Sequence, residues 1–326
     1  MNNMPPSDVR TRFDIPRNSS FLSLGAAGGF SGAQIWQVET IEETYCLRRW
    51  PKEHPTVEHL CWIHQVLTHC ATNGAPQVDL PMKSTEGDTW VKHDGHLWQL
   101  SQWIEGSSNF SDDPNDERLS NAIQCLAKFH LGAAQVNLDF RTSDNVQKRI
   151  ELLANAAKTI EQVNASAVTS SNVLHDFRTL VSENAASHCA CLLAQLKPLG
   201  DSVLPIQPVI RDIWHDHLFF VGNEVSGIVD FGAMEMDTVC LDLSRMLGSL
   251  IGDNDERWKQ AIAEYSAIRA LTDPERNLIQ LLDQSGVWLG CLNWLKWIFV
   301  EGRVFEDSAA VEKRISSLTK RIANYV

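Results

Sequence analysis

Two acidic side chains carry the most informative spacing in this chain. Asp212 lies in the run from Val209 to Phe220, which also holds His215, Asp216 and His217, and Asp230 closes the next run ahead of Phe231 and Gly232. Between them the pattern reads as a short β-hairpin turning at Gly222 and Asn223. A short hairpin aims both carboxylates into one cleft. Carboxylates so placed can hold a hard divalent cation that completes its shell with other oxygens, and can take or orient a proton. The same residues also admit a structural reading, a buried turn aspartate beside a solvated acidic loop. His215 and His217 alternate, but no third ligand stands at a suitable spacing, which disfavours zinc. The eight cysteines contain no Cys-x-x-Cys pair. Cys189 and Cys191, two apart in a helical stretch, point in different directions. The cysteines therefore read as small buried hydrophobes, reduced in a cytosol.

The elements that must position these residues fall into two kinds. Phe21 to Leu24, Ala33 to Glu39 and Thr44 to Trp50 read as short strands, with a glycine-rich turn from Gly25 to Gly32 joining the first two. Val57 to Cys70 has helical period, with Leu60, Ile63 and Leu67 on one face. Thr89 to His93 and His96 to Ile104 read as a hairpin turning at Asp94 and Gly95. After a break at Glu105, Gly106, Ser107 and Ser108 the chain turns helical over Asp116 to Ala134, Asp144 to Asn164 and Asn172 to Leu199. A β segment over Val209 to Phe220 and Glu224 to Val229 interrupts the helices, which resume at Asp242. Val287 to Val300 reads as one buried helix, too short to span a bilayer. This order is not the alternating pattern of a parallel α/β sheet. It predicts an α+β fold with an extension over 1–20, a sheet-rich lobe and hinge over 21–105, and a helical lobe over 106–326, with a ligand cleft between the lobes.

Composition narrows the partners. A formal net charge of -13 disfavours nucleic acid and anionic membrane surfaces, and is compatible with a cationic small molecule. Met1 to Ser20 has no apolar core of a signal peptide, so a cytoplasmic protein is expected.

The acidic segment resembles the kinase superfamily. Kinases use a catalytic-loop Asp, a metal-binding residue five positions later and an Asp-Phe-Gly aspartate that holds Mg²⁺. From Asp212 to His217 is five positions, from His217 to Asp230 thirteen, and Asp230, Phe231 and Gly232 spell the triplet. The run Leu241, Asp242, Leu243, Ser244, Arg245 and the helix ending in Phe129 and His130 further resemble the aminoglycoside phosphotransferase/choline kinase group, whose loop usually reads His-Gly-Asp-x-His-x-x-Asn. This chain departs from that loop with Ile210 and Arg211 for His-Gly and His217 for Asn.

The resemblance implies a two-lobed protein kinase-like fold and transfer of the γ-phosphoryl group of ATP or GTP to a small-molecule hydroxyl. It makes Asp212 the catalytic residue and Asp230 and His217 the Mg²⁺ ligands. Gly28, Gly29, Phe30, Ser31 and Gly32 become the phosphate-covering loop, although an ordinary turn explains them too. Arg48 becomes the strand cation for the phosphates; Arg49 must face the other way. Glu58, the only acid between Val57 and Cys70, becomes its partner, with a capping role as the other reading. Gln102 and Trp103 become the hinge beside the purine. Acceptor candidates are Glu235, Asp237 and the pair Trp294 and Trp297, whose rings can cage a cationic amine or merely pack a buried helix. The departure at His217 also motivates an alternative, a nucleotide-binding pseudokinase acting through a partner. A protein kinase is disfavoured, because only eleven residues separate Gly232 from Ser244 and no Ala-Pro-Glu follows.

Overall fold

The computed structural model describes residues 4–25, 32–75, 77–166, 172–305 and 308–325. Helix α1 (Ser7–Arg12) precedes strands β1 (Ser20–Gly25), β2 (Gln34–Glu39) and β3 (Thr44–Arg49), helix α2 (Val57–Thr72), and strands β4 (Val91–His93) and β5 (His96–Gln102). The strands form one antiparallel sheet in the order β1-β2-β3-β5-β4. At the β4–β5 turn Asp94 and Gly95 both take positive φ, 48° and 78°, as a two-residue hairpin turn requires. One face of the sheet, with Trp36, Val38, Leu47, Trp98 and Leu100, is covered by Val9, Phe13 and Ile15. Residues expected to form a mere extension are thus part of this core. On the other face Leu60 of α2 packs with Trp50 and Leu97. Helix α3 (Asp116–Val136) follows, and a side chain at its Gly132 would press on Cys70 of α2 at 3.3 Å.

Strand β6 (Asp139–Arg141) and helices α4 (Asp144–Ala154), α5 (Ala156–Asn164) and α6 (Asn172–Gly200) come next, then β7 (Leu204–Val209). The single helix expected over 144–164 is two, because Asn155 turns its side chain back onto the Glu151 carbonyl at 2.8 Å and its backbone leaves the helical region, with ψ near 4°. Asparagine competes with the helix ladder in this way.

Strands β8 (Leu218–Val221) and β9 (Glu224–Ile228) form the expected hairpin. Its Asn223 docks on α3, donating to Glu117 and accepting through its carbonyl from Asn121. The stretch before β8 is not the strand expected from Val209 onward. It is a loop with a 3-10 turn at His215–His217, anchored by fully buried Ile210 and Ile213. Arg211 there takes φ 68°, outside strand space. Strand β10 (Glu235–Asp237) joins β7 and β6 in a second sheet. Helices α7 (Cys240–Ile251), α8 (Asp255–Ile268), α9 (Asp273–Leu295) and α10 (Ser308–Ile322) complete the chain. Thr272 and Glu275 form a capping box at the start of α9. The apolar run expected to stay helical to Val300 instead passes at Lys296 into a π turn.

The chain divides into two compact units, Met1–Asn137 with Ile210–Glu235, and Leu138–Val209 with Met236–Val326. Among the described residues no helix is long and apolar enough to cross a membrane. All eight cysteines are free; five are buried and Cys61 and Cys191 are exposed.

Inside α2, His64 is 2% exposed and bonds Thr89 at 2.7 Å and Gln99 at 3.1 Å. Burial pushes its pKa down to about 4, although the Gln99 bond opposes the shift. The fold therefore favours the neutral ring. Its contribution is complete above the unfolded value near 6.5 and is lost as pH falls toward about 4, on the order of 3 kcal/mol in all. Urea unfolding at pH 7.5 and pH 5 should show a lower midpoint at pH 5, and His64→Gln should narrow that gap. An equal gap in both proteins would assign the pH dependence elsewhere.

Candidate active site

Strand alternation sorts the cations of β3. Leu47 and Arg49 face the α1 side, where the Arg49 guanidinium lies 6.0 Å from the Trp98 ring. Cys46 and Arg48 face a cavity of about 300 Å³, lined also by Ile35, Asp79, Gln102, Trp103 and Asp230. Arg48 is 7% exposed. Its Nη1 donates to Asp230 Oδ1 at 2.9 Å and its guanidinium lies 4.8 Å from the Trp50 ring. Its Nε, also buried, has no hydrogen-bond partner among the described residues.

Asp230 sits at the end of β9 in the left-handed region, with φ 66° and ψ 66°. The triplet that follows fixes this kink. Phe231 is buried against Phe129 of α3, ring centroids 5.7 Å apart. Gly232 lies under Trp50, where an added Cβ would come within 2.7 Å of the indole. Burial works against the Asp230 carboxylate, but the Arg48 guanidinium and the Gly232 N–H outweigh it and hold the carboxyl below the usual range.

The loop before β8 is tied to Asp230 through His217. His217 Nδ1 donates to the Asp212 carbonyl at 2.6 Å, and the Trp214 indole N–H donates to His217 Nε2 at 3.1 Å. This pair of bonds assigns a neutral ring protonated at Nδ1. Nε2 lies 3.8 Å from Asp230 Oδ2. Trp214, Asp216 and His217 line the cavity; Asp212 is half-buried and joins this network through its carbonyl.

At the hinge, Gln102 and Trp103 line the cavity, but the Trp103 N–H, expected to face a purine, donates to the Thr44 carbonyl at 3.0 Å. Gly106, at φ 95°, lets the chain pass Phe220, whose carbonyl a Cβ would meet at 2.2 Å. Gly32 has φ 77°, while Gly28, Gly29, Phe30 and Ser31 lie outside the described residues. Glu58 is exposed in the first turn of α2, where an acid suits the helix dipole. The carboxylates that act on Arg48 are Asp230 and Asp79, and Asp79 had no sequence signal.

The acceptor candidates fare differently. Glu235 is exposed, 4.0 Å from Arg211. Asp237 is 1% exposed, and its oxygens accept from Ser143, Asn145 and the Thr238 N–H; it clamps the start of α4 and has no free edge for a ligand. Trp294 and Trp297 meet edge to face at 5.1 Å, Trp294 also packs on Phe305, and Arg303 covers the Trp297 ring at 4.7 Å. The cation over that ring is the protein's own.

Among the described residues no three His, Cys, Asp or Glu side chains converge as a metal cage. The Asp230 carboxylate fits a hard ion that brings phosphate and water as its other ligands, whereas the His217 imidazole suits softer metals.

These features define a protein kinase-like fold whose nucleotide-side elements surround one cavity. The chain belongs to the phosphotransferase enzyme family, whose model matches residues 24–277. It is a small-molecule kinase, a transferase with hydroxyl groups as acceptors. It is 25% identical over 279 residues to a homoserine kinase of Polaromonas naphthalenivorans (strain CJ2), covering 82% of this chain and 80% of that one. Spectinomycin phosphotransferase, solved with ADP and spectinomycin, superposes with a TM-score of 0.65 at 12% identity, covering 91% of this chain and 87% of that one. Amicoumacin kinase, solved with AMP-PNP and Ca²⁺, superposes with a TM-score of 0.62 at 14% identity, over 92% and 87%.

Gly232→Ala would force Trp50 off the Asp-Phe-Gly turn. The expected loss of stability is about 1–3 kcal/mol, with a change in tryptophan fluorescence. Melting and emission identical to the parent protein would contradict the packing described.

Proposed function

We propose that this chain transfers the γ-phosphoryl group of ATP or GTP to the hydroxyl of a small molecule in a Mg²⁺-dependent, in-line reaction. The single observation that carries the reading is the ion pair between buried Arg48 and half-buried Asp230 inside a cavity flanked by the hinge and the Asp212–His217 loop. In this reading residues 21–105 form the nucleotide lobe and hinge, and 106–326 the lobe with the catalytic loop and acceptor site. Bound Mg²⁺ supplies charge neutralisation at the phosphates. Asp230, with its Oδ2 directed toward His217, holds it. Arg48 offers its guanidinium to phosphate oxygen. Asp212 orients the acceptor hydroxyl and takes its proton. Gln102 and the walls of the cavity take the base, and Gly28 to Gly32 cover the phosphates.

For the acceptor we favour an amine-bearing alcohol. Homoserine, the namesake acceptor of the sequence relatives, is one, and a net charge of -13 suits an ammonium group. Exposed Glu235 remains a candidate for it. A cytoplasmic location fits the free thiols.

One observation favours a second reading, a nucleotide-binding pseudokinase. The His217 lone pair that would meet a metal accepts the Trp214 N–H instead. Incubation with ATP or GTP and a pool of small hydroxyl metabolites, read by mass spectrometry, separates the two. A kinase yields a product 80 Da heavier, and Asp212→Ala lowers its formation at least about 100-fold without changing the melting temperature. Nucleotide binding without any product favours the pseudokinase. Full activity in Asp212→Ala removes the base assignment.

A further inference from the structure

Helix α2 presents no carboxylate to Arg48. Its only acid, Glu58, is solvent-exposed at its first turn, and the polar side chain it buries is His64, already bonded to Thr89 and Gln99. A buried guanidinium needs more than one acceptor to hold it in place, and Asp230 supplies only one short bond to Arg48.

We propose that Asp79, on the loop between α2 and β4, is the positioning residue that keeps Arg48 turned into the cavity for the nucleotide's phosphates. Three placements support this. Asp79 is 6% exposed and lines the same cavity as Arg48 and Asp230. Its backbone is pinned to the strand that delivers Asp230: Val78 bridges Ile228 in parallel, and the Asp79 N–H donates to the Ile228 carbonyl at 3.2 Å, two residues before Asp230. Two residues further on, Pro81 bridges Ser101 of β5 in antiparallel. Ser101 pairs across the sheet with Cys46, which shares the cavity face of β3 with Arg48. Asp79 is therefore fixed on one side by the end of β9 and on the other by β5, beside the cation.

Asp79 also acts electrostatically on Arg48. Burial raises its carboxyl above the ordinary range, and the neighbouring guanidinium pulls against that rise. A second carboxylate in the cavity competes with Asp230 for Arg48 and so leaves Asp230 an oxygen for the metal. Without Asp79, Arg48 would collapse onto that one partner and withdraw from the phosphates.

The inference rests on the nucleotide reading of the cavity, and its test keeps the two apart. Binding of Mg²⁺–ATP and of adenosine is measured for the parent protein, Asp79→Asn, Arg48→Met and the double variant. Asp79→Asn should weaken ATP about tenfold and leave adenosine within about twofold, because only phosphate meets Arg48. In the Arg48→Met background the same substitution should have no effect on ATP. Equal losses for ATP and adenosine, or a loss that persists without Arg48, would make Asp79 merely structural and overturn the proposal. Tighter ATP binding would overturn it too, since that is the result for a carboxylate that only repels phosphate. Should Asp79→Asn fail to fold, Asp79→Ser, which also removes the charge, should give a loss with the same preference for ATP. A loss shared by adenosine again speaks against positioning. No binding of either ligand by the parent protein would overturn the nucleotide reading and this inference with it.

Discussion

The ion pair between Arg48 and Asp230 is the contact on which the rest of the site depends. A guanidinium that is 7% exposed is costly without a carboxylate beside it, and the carboxylate comes from a residue 182 positions away. To bring it there the chain must end β9, enter the left-handed region at Asp230 and turn at once. Phe231 secures that turn from below by packing on Phe129, and Trp50 secures it from above by lying against Gly232. Trp50 is two residues along from Arg48 and also sits against its guanidinium. One indole thus packs on Arg48 and on the turn that carries Asp230, which makes the glycine a steric requirement of the site.

The loop carrying Asp212 is organised around an imidazole where most relatives of the resembled group have an amide. His217 receives an indole N–H on one nitrogen and gives its own N–H to the Asp212 carbonyl. A neutral ring beside Asp230 adds no fixed positive charge, so the carboxylate is held ionised mainly by Arg48. Asn in that position has an oxygen to offer a metal; His217 must first release Trp214. In the proposed function a metal would therefore rest mainly on Asp230.

Much of this was legible in the sequence because it rests on short spacings. The five-residue step from Asp212 to His217 and the Asp-Phe-Gly triplet place the loop and the turn. Period-two alternation separates Arg48 from Arg49, and the structure puts them on opposite faces of the sheet. What escaped depends on long-range contact. Asp79 lies in an unpatterned loop, and only its N–H bond to the Ile228 carbonyl and the bridges of Val78 and Pro81 to β9 and β5 bring it to the cavity with Arg48. Asp237 looks available for an acceptor until its oxygens are found engaged with Ser143 and Asn145 on α4. Glu58 satisfies the composition of a partner helix and sits in its first turn instead. The Val209 to Phe220 run alternates like a strand, yet Ile210 and Ile213 serve as anchors of a loop.

The central claim, that Arg48 and Asp230 hold a metal–nucleotide complex, is tested most directly by calorimetric titration of ATP into the protein and into Asp230→Asn, with Mg²⁺ and with EDTA. The account predicts that the parent protein binds ATP at least about tenfold more tightly with Mg²⁺, and that the substituted protein loses this difference while retaining binding in EDTA. Binding that is indifferent to Mg²⁺ in the parent protein, or an undiminished Mg²⁺ effect in Asp230→Asn, would contradict it.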